Sequence, residues 1–143
     1  MNFPQQAQEI IEAFAEMPHS LKLQLLLEYA NELPDLPESF GDPAELFERV
    51  EECQSPVFLF VEVLNQNVAV YLTAPKEAPT TRGFASILQS ALTSLKSDEV
   101  LEFSDSFIDA LGLTSLVSPL RIQGMYGMLF RIKRQVREKS ALQ

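Results

Sequence analysis

The chain has 143 residues and 16.1 kDa, with 46% hydrophobic and 22% charged residues. That is ordinary globular composition, long enough to bury roughly two-thirds of the unfolded chain's surface without a disulfide or metal staple. Twenty acids against eleven bases give a net charge of −9, with twelve acids and two bases (Lys22, Arg49) before Cys53. Nucleic-acid binding needs Lys and Arg to neutralise phosphates, so the acidic first third argues against it. The basic RIKRQVREKS segment fits the solvated, dipole-complementing end of a last helix. No apolar run is long enough to span a bilayer. The N-terminus lacks the basic and apolar regions of a signal peptide. A single domain over residues 1–143, with no membrane segment and a cytoplasmic location, is therefore expected.

Ala7, Ile10, Ile11, Phe14 and Met17 recur at helical spacing, which predicts a first helix of about twelve residues ended by Pro18. Ser20 is a candidate N-cap for a second helix, LKLQLLLEYANEL. The segment LPDLPESFGDPAEL follows as a structured connector, with Leu33 and Leu36 available to pack down. Glu48–Glu52 is a possible edge strand. Pro56–Leu64 is β-branched and aromatic at nearly every position, so it predicts a strand that is central or covered on both faces. Asn65, Gln66 and Asn67 supply turn chemistry, and VAVYLTA should pair back as an antiparallel hairpin.

Phe84, Ile87, Leu88, Ala91, Leu92 and Leu95 form a helical stripe beginning near Thr80 or Thr81. Ser97 and Ser104 are candidate N-caps, for a short turn and for a helix reaching about Leu111, with Gly112 at C′. Ser118 and Pro119 open a long terminal helix whose inner face carries Ile122, Met125, Tyr126, Leu129, Ile132 and Val136. The fold class is α+β: a small antiparallel sheet of about three strands covered by several helices.

There is one cysteine and one histidine. An internal disulfide is impossible, a structural zinc site lacks its usual ligands, and only His19 could serve a catalytic triad as base. His19 sits at a helix entry, where a capping or surface role is the simpler reading. A lone cysteine is commonly a small buried hydrophobe. Cys53, however, lies between the charged segment ERVEE and the polar strand entry Gln54, Ser55, Pro56, which places it on a connection. Sulfur's own nucleophilicity and capacity for S–S bonds suit such a minimal site.

CQSPVFLFVEV resembles the CQS-plus-strand signature of the SufE family, the sulfur acceptors that serve SufS-type cysteine desulfurases. ELPDLP, TRGFASIL and LGLTSLVSPLRIQGMYGMLFRI are similar to three further stretches of that family, in the same order. The resemblance covers roughly residues 20–135. It implies that Cys53, on a loop at the tip of the sheet, accepts persulfide sulfur from the desulfurase. The sulfur would then pass to an iron–sulfur assembly scaffold. The pyridoxal phosphate chemistry would belong to the partner, so this chain would act as an accessory protein with no cofactor and no metal. Loop or partner-facing roles carry over to Glu51, Glu52, Gln54, Ser55, Arg82, Gly83, Arg121, Gln123 and Gly124. The family usually has glycine where this chain has Glu52. A positive φ there would suit glutamate poorly, and the Glu51–Glu52 pair should raise the Cys53 pKa and slow its reaction with thiol reagents. The same pair leaves a second reading open: a SufE-like binding or regulatory module that docks a partner without efficient transfer.

Overall fold

The computed structural model describes residues 2–142. Helix α1 spans Gln5–Glu16 and buries Ala7, Ile10 and Phe14, one residue per turn on one stripe. A 3-10 turn, His19–Leu21, leads directly into α2, Lys22–Glu32. Ser20 therefore lies inside the turn and does not act as an N-cap. Lys22 donates instead from Nζ to the Phe14 carbonyl at 2.7 Å, tying the start of α2 to the end of α1.

Beyond α2, Leu33 is buried and Leu36 half-buried, as their alternation with prolines predicts. The connector ends in the short helix α3, Pro43–Leu46. The edge strand β1 is only Glu48–Arg49, shorter than the predicted Glu48–Glu52. Val50 keeps the same register, its N–H donating to the Val57 carbonyl at 2.9 Å, and the turn closed by the Cys53 N–H on the Val50 carbonyl at 3.1 Å then takes Glu51 and Glu52 out of the sheet.

Strands β2, Phe58–Leu64, and β3, Asn67–Thr73, form the predicted hairpin, with Leu64 opposite Asn67 and Phe58 opposite Thr73. Only Asn65 and Gln66 form the turn, Asn67 being the first residue of β3 and not a turn residue; both have positive φ (50° and 69°), the twist that a two-residue hairpin requires. The sheet order is β1-β2-β3, all antiparallel, so β2 is central. Leu59, Val61, Val63, Val68, Val70 and Leu72 face the core. On the opposite face Phe60 and Tyr71 are half-buried beneath Phe40, whose ring lies 5.7 and 4.8 Å from theirs. That is how β2 can be apolar at nearly every position.

Helix α4, Pro79–Leu92, is the most buried helix and packs against α1, α2, α7 and β3. It ends at Leu92, so Leu95 lies beyond it, where its carbonyl accepts from Val68 N–H on the outer edge of β3. Gly83 permits the tight α2–α4 contact: a Cβ there would stand 2.6 Å from the Leu26 carbonyl oxygen.

Helices α5, Ser97–Leu101, and α6, Ser106–Ala110, are single short segments. Their caps differ from expectation. Lys96 holds the N-cap of α5, its N–H donating to Glu99 Oε1 at 3.0 Å. Ser104 accepts from the Ser106 N–H at 3.1 Å, while Asp105 occupies the N-cap position. Gly112, at φ 72°, follows α6 in the predicted C′ position. Helix α7, Pro119–Ser140, starts at Ser118, whose hydroxyl caps the Arg121 N–H at 3.4 Å.

Helix α7 packs along β2. Gln135 Oε1 accepts from the Val61 N–H at 2.9 Å, and Lys139 Nζ donates to the Val61 carbonyl. Both polar groups point away from β3, on a stretch of β2 that the two-residue β1 does not reach.

Candidate functional site

Cys53 sits in the loop between β1 and β2. Two backbone bonds make that loop compact: Val50 N–H to the Val57 carbonyl, and Cys53 N–H to the Val50 carbonyl at 3.1 Å. Val50 and Val57 are fully buried, whereas Glu51, Glu52, Gln54 and Pro56 are exposed. Glu52 is not in the left-handed region, since positive φ outside glycine occurs among the described residues only at Asn65, Gln66 and Ser94. Glutamate at this position therefore carries no backbone strain of that kind.

The thiol is on a connection and is nevertheless buried, with Cys53 9% exposed. The absence of a side chain at Gly124 makes room for it, because a Cβ on Gly124 would lie 2.9 Å from Cys53 Sγ. Beside the sulfur lies a cavity of about 170 Å³ between the first turns of α4 and α7. Cys53, Gln54 and Ser55 form one wall, Glu77 to Thr81 another, and Leu120, Arg121 and Gly124 the third. The fold thus assembles one site from three segments far apart in sequence.

Burial pushes the Cys53 thiol up, the Glu52 carboxylate pushes it further, and Arg131 and Arg49 pull it back, leaving it raised to about 11. The Glu51–Glu52 pair predicts a rise of this sign, but only Glu52 of the two contributes, and desolvation is the larger cause. Glu52 itself is held below the usual carboxylate range by its bonds to Arg131. Burial raises Glu48, yet hydrogen bonds from Gln135, Arg134 and Arg131 outweigh it and leave that carboxyl lowered.

The structure gathers Cys53, Gln54, Ser55, Arg121 and Gly124 around the cavity. Gln123 is exposed on the same turn of α7 but does not line the cavity, and Glu51 is exposed on the loop. Arg82 points elsewhere: its Nε donates to the Ala30 carbonyl at 2.9 Å and its Nη1 to the Ala74 carbonyl at 2.6 Å. It joins the end of α2 to the end of β3. Gly83 is buried under Leu26 and has no surface to offer a partner. His19 is exposed in the 3-10 turn and is not part of the cavity wall.

Sequence reasoning missed Arg131, Gly127, Glu77 and the two threonines at the start of α4. Gly124 and Gly127, three residues apart inside a helix, were the available signal, since glycine there marks a close approach. Among the described residues, no group of three or more His, Cys, Asp or Glu side chains is placed to hold a metal ion. No helix among them is long and apolar enough to cross a membrane.

Fold and site together define a small α+β protein with a solitary shielded thiol facing a polar-rimmed cavity. The chain belongs to the SufE family, whose model, described as an Fe-S metabolism associated domain, matches residues 8–136. An uncharacterised SufE-like protein of Mycobacterium tuberculosis is 48% identical over 138 residues, covering 96% of this chain and 95% of that protein. The chloroplastic/mitochondrial SufE-like protein 1 of Arabidopsis thaliana is 28% identical over 127 residues, 88% of this chain but 33% of that longer protein. A solution structure of a hypothetical protein from Thermus thermophilus superposes with a TM-score of 0.84 at 35% identity, covering 98% of this chain and 99% of that one.

Proposed function

We propose that this protein is a sulfur acceptor, with Cys53 taking persulfide sulfur from a cysteine desulfurase and passing it toward iron–sulfur cluster assembly. The observation that carries the reading is the placement of the chain's single thiol: on a short loop, against Gly124, at the wall of a cavity edged by Arg121. Membership in a family associated with Fe-S metabolism supports it.

In the transfer step, the Cys53 thiolate attacks the terminal sulfur of the desulfurase persulfide. A new bond forms between Cys53 Sγ and that sulfur, the desulfurase S–S bond breaks, and the desulfurase thiolate leaves. The proton given up by Cys53 balances the one taken by the leaving thiolate. Oxidation states are conserved, so no external oxidant or reductant enters. At rest the raised thiol stays protonated near neutral pH, which keeps it inert toward bulk oxidants and electrophiles.

The deciding experiment is intact mass after incubation with a SufS-type desulfurase, pyridoxal phosphate and free cysteine. The expected result is a reductant-reversible gain of one or more sulfur atoms on the wild type and none on Cys53→Ser. No gain from a desulfurase that is itself loaded refutes transfer from that enzyme. If Cys53→Ser still binds and stimulates the desulfurase as well as the wild type does, the chain is a docking module instead.

A further inference from the structure

The Cys53 loop is fastened to α7 at two adjacent points. Next to the Cys53–Gly124 contact, the Glu52 side chain lies over Gly127, where a Cβ would stand 2.6 Å from Oε1 and 2.7 Å from Cγ and Cδ. One helical turn on, Arg131 grips the same carboxylate with two bonds, Nε to Oε1 at 2.9 Å and Nη2 to Oε2 at 3.2 Å. Its third donor, Nη1, reaches Glu48 Oε2 at 2.6 Å, so a single guanidinium joins β1, the loop and α7. Gln135 and Arg134 hold the other oxygen of Glu48. Neither Gly124 nor Gly127 has positive φ. Backbone conformation therefore does not require glycine at either place, and what each provides is room.

We propose that Glu52, Gly127 and Arg131 form a clasp that keeps the Cys53 loop seated on α7 and sets how often the thiol is uncovered. Glu52 and Arg131 are positioning residues, acting on the sulfur through the loop. A two-bond arginine–carboxylate pair fixes geometry as well as charge. Here it is partly shielded, with side chains 18% and 39% exposed for Arg131 and Glu52. Such a pair is strong enough to bias a local opening and weak enough to be broken without unfolding the chain.

A purely electrostatic role predicts something different. Glu52 pushes the thiol pKa up and Arg131 pulls it down, so their removal would change thiolate population in opposite directions. The clasp requires that losing either one loosens the loop.

Amide hydrogen exchange of the segment 50–57, followed by mass spectrometry on the full chain, reads the loop directly and is blind to thiol ionisation. The proteins are wild type, Glu52→Ala, Arg131→Met, Gly127→Ala and the Glu52→Ala/Gly127→Ala pair. Gly127→Ala changes no charge; its methyl group evicts the Glu52 carboxylate. Each single substitution is expected to speed exchange in this segment about three- to tenfold. Gly127→Ala should add nothing once Glu52 is alanine, because no side chain remains to be displaced. The proposal is overturned if Glu52→Ala and Arg131→Met leave exchange unchanged, or if the Glu52→Ala and Gly127→Ala effects simply add. Should Gly127→Ala fail to fold, the Glu52→Ala/Arg131→Met pair tests the same non-additivity. Exchange is measured without a desulfurase, so a negative result here leaves the sulfur-acceptor reading standing.

Discussion

Replacing Gly124 with alanine should destabilise the wild-type chain and stabilise a chain that lacks the sulfur. The added methyl group would sit 2.9 Å from Cys53 Sγ, well inside carbon–sulfur contact distance, but 3.8 and 3.9 Å from Cys53 Cα and Cβ, which is ordinary contact. Only the sulfur stands in the way. Over-packing of a close-packed site costs about 1–3 kcal/mol. Alanine in place of a helix-interior glycine gains back about 1 kcal/mol, leaving a net loss of roughly 1 kcal/mol in wild type. With Cys53→Ala as the background the clash disappears and the helix term survives, so the same substitution should gain about 0.5–1 kcal/mol. Urea unfolding of the four proteins measures both differences, and alkylation of Cys53 in Gly124→Ala should accelerate as the sulfur is displaced from its seat. An equal effect of Gly124→Ala in the two backgrounds would refute the claim that this glycine exists to accommodate the thiol.

Two further predictions concern the buried thiol and Arg82. The Cys53 thiol rises from an ordinary 9.0 to about 11; below pH 9 both folded and unfolded chains keep the proton and the full stability is present. Between those values the unfolded chain loses it first, so stability should fall by about 2–3 kcal/mol as pH climbs toward 11. The decline should be shallower by about that amount in Cys53→Ser, whose remaining slope belongs to groups such as Tyr29 and Tyr126; a wild-type iodoacetamide rate that already levels off near pH 9 would contradict it. Arg82→Met removes the donors to the Ala30 and Ala74 carbonyls and should cost about 2–3 kcal/mol in urea unfolding. A near-neutral result would mean that Arg82 is a surface residue after all.

Most of the fold was legible because its signals are local. The apolar stripe of α1, the Gly112 stop and the Ser118–Pro119 start each act within a few residues, and each appears as expected; the hairpin turn also falls in its expected place, at Asn65 and Gln66 without Asn67. The errors lie where neighbours compete. His19–Leu21 took up the turn ahead of α2 and displaced the Ser20 cap, and the turn from Val50 to Cys53 cut β1 to two residues. The site was legible only at its centre. Cys53 is marked by its polar surroundings and by the family resemblance, which also pointed to Arg121 and Gly124. The Glu52–Arg131 pair joins residues 79 positions apart, and no local pattern encodes that meeting. Arg82 and Gly83 carried a motif signal, yet their contacts are those of helix packing.

The way α7 meets β2 bears on how the protein behaves in a crowded solution. A strand with bare N–H and C=O groups along one side is a template for another chain, and proteins blunt such borders with covers and charges. Here β1 shields only Phe58 and Leu59, and beyond it Gln135 and Lys139 occupy both polar groups of Val61. On the opposite border Thr93 Oγ1 accepts from Val70 N–H at 3.2 Å, and the 94–95 backbone pairs with Val68. The last helix thus serves as a stand-in strand made of side chains. Shortening the chain before Gln135 would strip that cover and leave a protein prone to stack on its own copies.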